Sequence, residues 1–147
     1  MAQAQEIQLG GDRPAEGHKD HVSLAPDQIV VEAGKPQVVE LRFHVDPGFH
    51  INSHKPKDEL LIPTVLKLDE ASVKVVSEDY PQGSAFRLTI GDGETLDVYQ
   101  GEFRVKLRVV VPRGVSTLSG SLHYQACDNA ACFPPRNLPV KMAVTGK

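Results

Sequence analysis

The sequence predicts an all-β protein, a β-sandwich of about seven to nine mostly antiparallel strands. Three observations support this fold class. Several segments alternate apolar and polar residues with a period of two, which places one face of a strand in a core. Twelve glycines and eleven prolines interrupt the 147-residue chain at short intervals, as expected for turns between short strands. No window shows an apolar stripe of helical period bounded by caps, so we expect little helix.

The strands follow from the alternation in order along the chain. Residues 1–20 are polar and without periodicity, which predicts a flexible tail before a single domain at 21–147. The clearest strand is 103–111, where every second residue is apolar until Pro112 ends it. Residues 39–45 alternate in the same way before the turn residues Asp46, Pro47 and Gly48. The other predicted strands are 21–24, 29–31, 64–68, 73–76, 118–126 and 138–144. Turns every few residues in such a chain predict a sandwich of immunoglobulin-like character.

Composition and charge argue against several classes of function. The chain is 40% hydrophobic and 24% charged, as in soluble globular proteins. No apolar run approaches the ~20 residues that a membrane-spanning helix needs. A net charge of -3 gives no electrostatic footprint for nucleic acid or an anionic membrane. The first residues lack the basic start and apolar stretch of a secretory signal, and an exported origin stays open.

Two cysteines, Cys127 and Cys132, lie close together in the segment 124–135, which reads YQACDNAACFPP. The spacing is not that of a C-x-x-C redox motif, and no second pair completes a zinc site. A bridge between them would close a short loop and stabilise the fold by roughly 2 kcal/mol, against about 4.7 kcal/mol for a hundred-residue loop. A pair this local is suited to opening and closing, because its reduction disturbs little of the core. A static disulfide in an exported protein is the alternative.

The residues around the pair predict a shielded thiol that a partner must reach. Asp128 lies between the cysteines, and a neighbouring carboxylate raises the pKa of a thiol. Phe133, Pro134 and Pro135 form a stiff apolar rim with few backbone donors. We therefore expect a partner-gated group rather than a freely reactive one.

This cysteine segment resembles the active-site signature of the N-terminal periplasmic domain of DsbD, the thiol:disulfide interchange protein. In that family a Y-Q-x-C segment is followed, after four or five residues, by C-[YF]-P-P. The stretch 47–54, PGFHINSH, continuing to LIPT at 61–64, also resembles this family and its stand-alone relatives. The resemblance covers about residues 22–145 and implies an immunoglobulin-like sandwich with the cysteine pair near one end.

The resemblance also implies a function. Family members take electrons from a thioredoxin-like domain, itself reduced through a membrane-embedded domain. They pass these electrons to periplasmic disulfide isomerases or cytochrome c maturation proteins. The chain is then expected to be a periplasmic, monomeric protein-disulfide reductase domain without cofactor or metal. By position, Cys132 matches the cysteine that forms mixed disulfides, and Cys127 matches its resolving partner.

Further site residues are expected from the same resemblance. His50 and Asn52 fall where the family often has active-site tyrosines, and we expect their segment to pack beside the cysteine loop. The family closes its site with a cap loop that holds an acidic pair and an aromatic. Residues 84–96 offer Phe86 and Ile90 but no such run, and the chain contains neither the membrane domain nor the thioredoxin-like domain. The predicted neighbours of the cysteines are His50, Asn52, Phe86, Ile90, Tyr124, Phe133 and Pro134.

Two other classes of function remain as alternatives. The first is an immunoglobulin-like binding module whose disulfide is only structural. The second is a metal-binding protein that uses the cysteines and a histidine. His50 and His54 are four residues apart, but no helix is predicted there and no third ligand is local. Hydrolase and phosphate-loop signatures are missing from the sequence.

Overall fold

The computed structural model describes residues 20–69, 72–88 and 93–147. Its regular elements form three four-stranded sheets. The strands are β1 (Val22–Leu24), β2 (Ile29–Val31), β3 (Gln37–Val45), β4 (His50–Asn52), β5 (Val65–Asp69), β6 (Lys74–Asp79), β7 (Ser84–Arg87), β8 (Thr95–Tyr99), β9 (Glu102–Val110), β10 (Gly114–Tyr124), β11 (Ala126–Cys127) and β12 (Arg136–Gly146). The predicted tail, except for Asp20, lies outside the described residues. Within those residues, no helix is long and apolar enough to span a membrane.

Two of the sheets enclose the hydrophobic core. The first has the order β1-β3-β9-β6 and is antiparallel throughout. The second has the order β2-β12-β10-β5, in which only β2 and β12 run parallel. Leu41 and Leu107 of the first sheet and Leu118 and Leu122 of the second are fully buried in one apolar cluster. The period of two in β3, β9, β10 and β12 sends alternate side chains into this cluster, because successive residues of a strand face opposite sides.

The predicted fold class is confirmed, whereas the number of strands exceeds the predicted seven to nine. Twelve strands lie within the described residues. The difference comes from short strands such as β4 and β11, which have three and two residues and no alternation to mark them. The predicted strand 118–126 is also divided, since β10 ends at Tyr124 and β11 begins at Ala126.

The third sheet, of order β11-β4-β8-β7, positions the cysteine pair. The chain passes from this sheet into the first one, because β8 leads through a tight turn into β9. Gly101 in that turn has a φ of 63°, a left-handed conformation that favours glycine. The ring of Tyr99 at the end of β8 stacks on Phe103 of β9, with centroids 4.6 Å apart. The small sheet is therefore fixed to the sandwich core through an aromatic contact.

Candidate functional site

A disulfide joins Cys127 to Cys132, with 4.0 Å between their Cα atoms. The two residues sit opposite each other as an isolated antiparallel bridge. Their environments differ: Cys127 ends β11 and is only 5% exposed, whereas Cys132 is an exposed residue of the following loop. One sulfur of the pair therefore belongs to the sheet, and the other belongs to the surface.

The loop between the cysteines is held by its own hydrogen bonds. The Asp128 carboxylate accepts from the backbone N–H groups of Ala130 and Ala131, each at 2.8 Å. The Asp128 N–H donates to the Ala131 carbonyl at 2.9 Å, and the Phe133 N–H donates to the Ala126 carbonyl at 2.9 Å. The bonds from Ala130 and Ala131 hold the pKa of the Asp128 carboxyl below its usual value. The loop therefore has a defined shape that does not depend on the disulfide alone.

His50 is the direct neighbour of Cys127 in the small sheet. The two residues are opposite each other in the antiparallel pair of β4 and β11. Residues paired in this way share a face, with Cβ atoms about 4.5–5.5 Å apart. His50 is 1% exposed, and its buried Nε2 atom has no hydrogen-bond partner. Burial lowers the pKa of His50, an effect that the Asp128 carboxylate opposes.

Phe86 of β7 covers the other side of His50. The centroids of the two rings are 4.2 Å apart. Phe86 was expected beside the cysteines, and the structure places it against His50, the residue opposite Cys127. Ile90, the second residue named for this segment, lies outside the described residues.

The chain has relatives of known family and known structure. Residues 21–143 match the family described as the N-terminal domain of the thiol:disulfide interchange protein DsbD. The chain belongs to this family. It is a thiol:disulfide interchange domain in the general sense of that family. A search of curated protein sequences gives no match.

One solved structure supports the fold, and a second is reported beside it. The reduced N-terminal domain of DsbD from Neisseria meningitidis is 21% identical, with a TM-score of 0.50. The alignment covers 78% of this chain and 82% of that one. The N-terminal periplasmic domain of ScsB from Proteus mirabilis is 18% identical with a TM-score of 0.49, over 81% of this chain and 44% of that one. The immunoglobulin-like sandwich expected from the sequence is that of the DsbD neighbour.

Asn52 is the second residue that falls where the family often has a tyrosine. It forms hydrogen bonds with the segment that contains Ile62 and Thr64. Its Nδ2 donates to the Ile62 carbonyl at 3.0 Å, and the Thr64 hydroxyl donates to the Asn52 carbonyl. Asn52 is 3% exposed. These bonds fix the segment around Ile62 and Thr64 against β4. His50 therefore lies beside Cys127, whereas Asn52 holds the segment around Ile62 and Thr64 in place.

Tyr124 and its contacts anchor the start of the domain. Tyr124 is buried in the core cluster, and its hydroxyl donates to the Asp20 carbonyl at 2.6 Å. The Asp20 carboxylate lies 3.4 Å from Arg136 Nε. Burial raises the pKa of Tyr124, so its hydroxyl remains a donor at neutral pH. No described contact joins it to the sulfurs.

An aromatic rim beside Cys132 includes His21 and Phe49, neither of which was predicted as a site residue. Phe133 lies against His21, with centroids 5.3 Å apart, and His21 stacks on Phe49 at 3.8 Å. His21 Nδ1 is also 3.6 Å from an Asp46 carboxylate oxygen. Pro134 and Pro135, the other predicted rim residues, are exposed. Phe49 stood within the family-like stretch 47–54, whereas no sequence pattern marked His21 for this rim.

The histidines and cysteines do not assemble a metal centre in the part of the chain that the structure describes. No group of three or more His, Cys, Asp or Glu side chains there could hold an ion. His54 instead stacks on Tyr80 with centroids 3.6 Å apart, and its Nδ1 contacts the Thr64 carbonyl at 2.9 Å.

Proposed function

We propose that this domain passes reducing equivalents from a thioredoxin-like or membrane reductase domain to partner proteins through Cys127 and Cys132. Membership of the DsbD N-terminal family supports disulfide interchange, and the periplasm is the compartment proposed for it. The observation that carries the roles of the two sulfurs is the difference in exposure. Cys132 is open to a partner, whereas Cys127 is buried within pairing distance of it.

The exchange proceeds in two displacement steps. In the reduced domain, the Cys132 thiolate attacks one sulfur of a partner disulfide, and the partner's other sulfur leaves as a thiolate. Cys127 then attacks Cys132, which restores the bridge and releases the partner's remaining sulfur. The partner gains two electrons and the domain becomes oxidised. A thioredoxin-like reductase restores the domain through the reverse sequence.

The aromatic rim supports a protein partner at Cys132. Phe133, Phe49 and His21 pack together next to the exposed cysteine, and Pro134 and Pro135 extend that surface. Prolines stiffen the chain and remove backbone donors, so this surface is rigid and contacts a partner through apolar groups. We propose that thioredoxin-like domains and periplasmic disulfide or cytochrome c maturation proteins dock here.

Trapping of a mixed disulfide tests the assignment of the two sulfurs. The reduced Cys127→Ser variant is mixed with a thioredoxin that carries only its nucleophilic cysteine, activated as a thionitrobenzoate disulfide. We expect a covalent complex to accumulate on a non-reducing gel. The Cys132→Ser variant is the matched control and should form far less. Equal trapping by both variants, or trapping by Cys132→Ser alone, contradicts the assignment.

A redox titration separates exchange from the structural alternative. An exchange pair must be reducible at potentials that a thioredoxin-like partner reaches, about -270 mV. A structural bridge in an immunoglobulin-like binding module falls below about -300 mV. Thiol alkylation after equilibration in dithiothreitol buffers measures the midpoint. A midpoint well below the structural limit would favour the binding module.

A further inference from the structure

We propose that His50 accepts the proton of Cys127 when that thiol resolves a mixed disulfide, and returns it when Cys127 leaves as a thiolate. The proposal rests on the proposed function, because it takes Cys127 as the resolving sulfur. It assigns a chemical task to a residue that stands where the family often has a tyrosine.

The sheet places His50, Cys127 and Cys132 in one row. Cys127 pairs with His50 on one side through β4 and with Cys132 on the other side through the isolated bridge. Directly opposed residues of antiparallel strands point to the same face. Cys127 therefore lies between the imidazole and the sulfur that it must attack. A proton can leave Cys127 toward His50 while its electron pair moves toward Cys132.

The unpartnered nitrogen indicates which group is missing. Buried side-chain nitrogens almost always have a hydrogen-bond partner, yet His50 Nε2 has none in the disulfide form. The disulfide sulfur of Cys127 carries no proton, so it has nothing to donate. Reduction adds an S–H group at this neighbour of His50. The orphaned atom is then explained as the acceptor of a donor that exists only in the reduced state.

Burial makes a local base necessary. A thiol that is shielded from water has a raised pKa, and Cys127 is 5% exposed. In the resolving step the Cys127 S–H bond breaks and its proton goes to Nε2. The S–H electron pair forms the bond to Cys132, and the Cys132–partner bond breaks so that the partner leaves as a thiolate. Atoms and electrons balance without a further reactant.

The groups around His50 suit a reversible proton acceptor. Burial keeps the imidazole neutral and ready to accept, and the Asp128 carboxylate favours the imidazolium that then forms. Phe86 covers the ring from β7 without charge. On β8, Tyr99 opposes Ile51 rather than His50, so it belongs to the other face of the sheet. Among the described residues, Asp128 is the charged group that acts on His50, and Cys127 beside it becomes titratable on reduction.

Glutathione disulfide serves as the probe, because it separates the two steps without a protein partner. The reduced domain is mixed with excess probe, quenched with acid and analysed by mass spectrometry for the glutathionylated and internally oxidised forms. For His50→Gln we expect resolution to slow about 100-fold near neutral pH, the effect of losing a general base. Its rate should rise about tenfold per pH unit, whereas the wild-type rate stays nearly flat above the pKa of His50. Glutathionylation of Cys132 should proceed at the wild-type rate.

Controls distinguish this inference from the function on which it rests. His54→Gln changes a histidine that stacks on Tyr80, and it should keep the wild-type rates and pH profile. A His50→Gln variant that resolves like the wild type overturns the role of His50 and leaves the exchange function standing. A wild-type domain that carries glutathione on Cys127 overturns both the role of His50 and the assignment of Cys127 as the resolving sulfur, whereas a reduced domain that forms no internal disulfide with the probe overturns the exchange function. Nitrogen NMR of the wild type needs no variant: reduction should shift the His50 Nε2 signal, and an unchanged signal contradicts the contact.

Discussion

The two large sheets and the small sheet have the same strand geometry but bury different kinds of side chain. In the large sheets, alternate side chains enter an apolar core, and residues such as Leu41 and Val105 are fully buried. In the small sheet, all three residues of β4 are buried, so both of its faces are covered. The buried polar residues of the described chain are His50, Asn52, Ser53, Thr64 and Ser116, and all but Ser116 lie in or near β4.

This difference separates stability from chemistry. The apolar core gains free energy by removing hydrocarbon from water. Buried polar groups gain little and must be paired to avoid a penalty. Asn52 and Thr64 are paired with backbone, whereas His50 keeps an open nitrogen beside the disulfide. We infer that the sandwich supplies the stability that lets the small sheet hold such a group.

The largest expected effect is therefore a loss of stability with the redox pair unchanged. Leu41→Ala removes a fully buried side chain of β3 and leaves a cavity. We expect the free energy of unfolding to fall by about 2–5 kcal/mol, measured by urea denaturation of the oxidised protein. The midpoint potential of the cysteine pair should stay at the wild-type value.

Val38→Ala is the matched control on the same strand. Val38 is 55% exposed, so its truncation should change the free energy of unfolding by less than about 0.5 kcal/mol. If Leu41→Ala also shifts the redox midpoint, the core and the small sheet are coupled, and the redox chemistry depends on the stability of the core.

Reduction of the disulfide should have a smaller effect than the core cavity. The bridge joins residues only five apart, so it restricts the unfolded chain little. The chain-entropy relation gives a loss of about 2 kcal/mol on reduction. We expect dispersed amide spectra in both states, with changes confined to residues near the pair. Global unfolding on reduction would show that the bridge is structural.

The sequence predicted the sandwich because the core strands carry its physical signature. Residues such as those of β9 alternate strictly, and this period requires a half-buried strand. β4 carries no such signature, since a strand covered on both faces has no polar side to reveal it. β11 is shorter than one full alternation. The sequence therefore did not predict β11, which bears the buried cysteine, as a strand separate from β10.

The candidate site was predictable only where residues adjoin in the chain or resemble a family. The two cysteines lie in one short segment of the sequence, and His50 was predicted because it lies in the stretch 47–54 that resembles the family. The stacking of His21 on Phe49 and its contact with Phe133 join distant parts of the chain. Such contacts depend on the topology of the sheets, which no local pattern records. The open Nε2 of His50 likewise appears only in three dimensions.

The next prediction concerns pH and separates the small sheet from the core. Burial lowers the pKa of His50 in the folded protein below the unfolded value of 6.5. As the pH falls through the unfolded value of 6.5 and below it, the unfolded chain binds a proton before the folded protein does. The free energy of unfolding should then decrease. His50→Gln removes this dependence. Urea denaturation of the oxidised proteins at about pH 7.5 and about pH 5.5 should show a larger decrease for the wild type.

Leu41→Ala controls for a loss of stability that does not involve His50. Leu41 lies in the core, and the variant retains His50. Its free energy of unfolding should therefore fall by as much as that of the wild type when the pH is lowered. Equal pH dependence in the wild type and His50→Gln would show that the imidazole is as readily protonated in the folded chain as in the unfolded one.

The smallest expected effect is confined to the cysteine loop. Asp128→Ala removes the acceptor of the Ala130 and Ala131 N–H groups, so both amides should exchange with deuterium faster than in the wild type. Asp128→Asn keeps a side-chain oxygen and should protect both amides better. It also removes the negative charge that raises the pKa of His50, so that pKa should fall further in either variant. Nitrogen NMR titration of His50 measures the second effect. If exchange accelerates equally in both variants, the charge holds the loop, whereas unchanged exchange in both would show that the disulfide alone holds it.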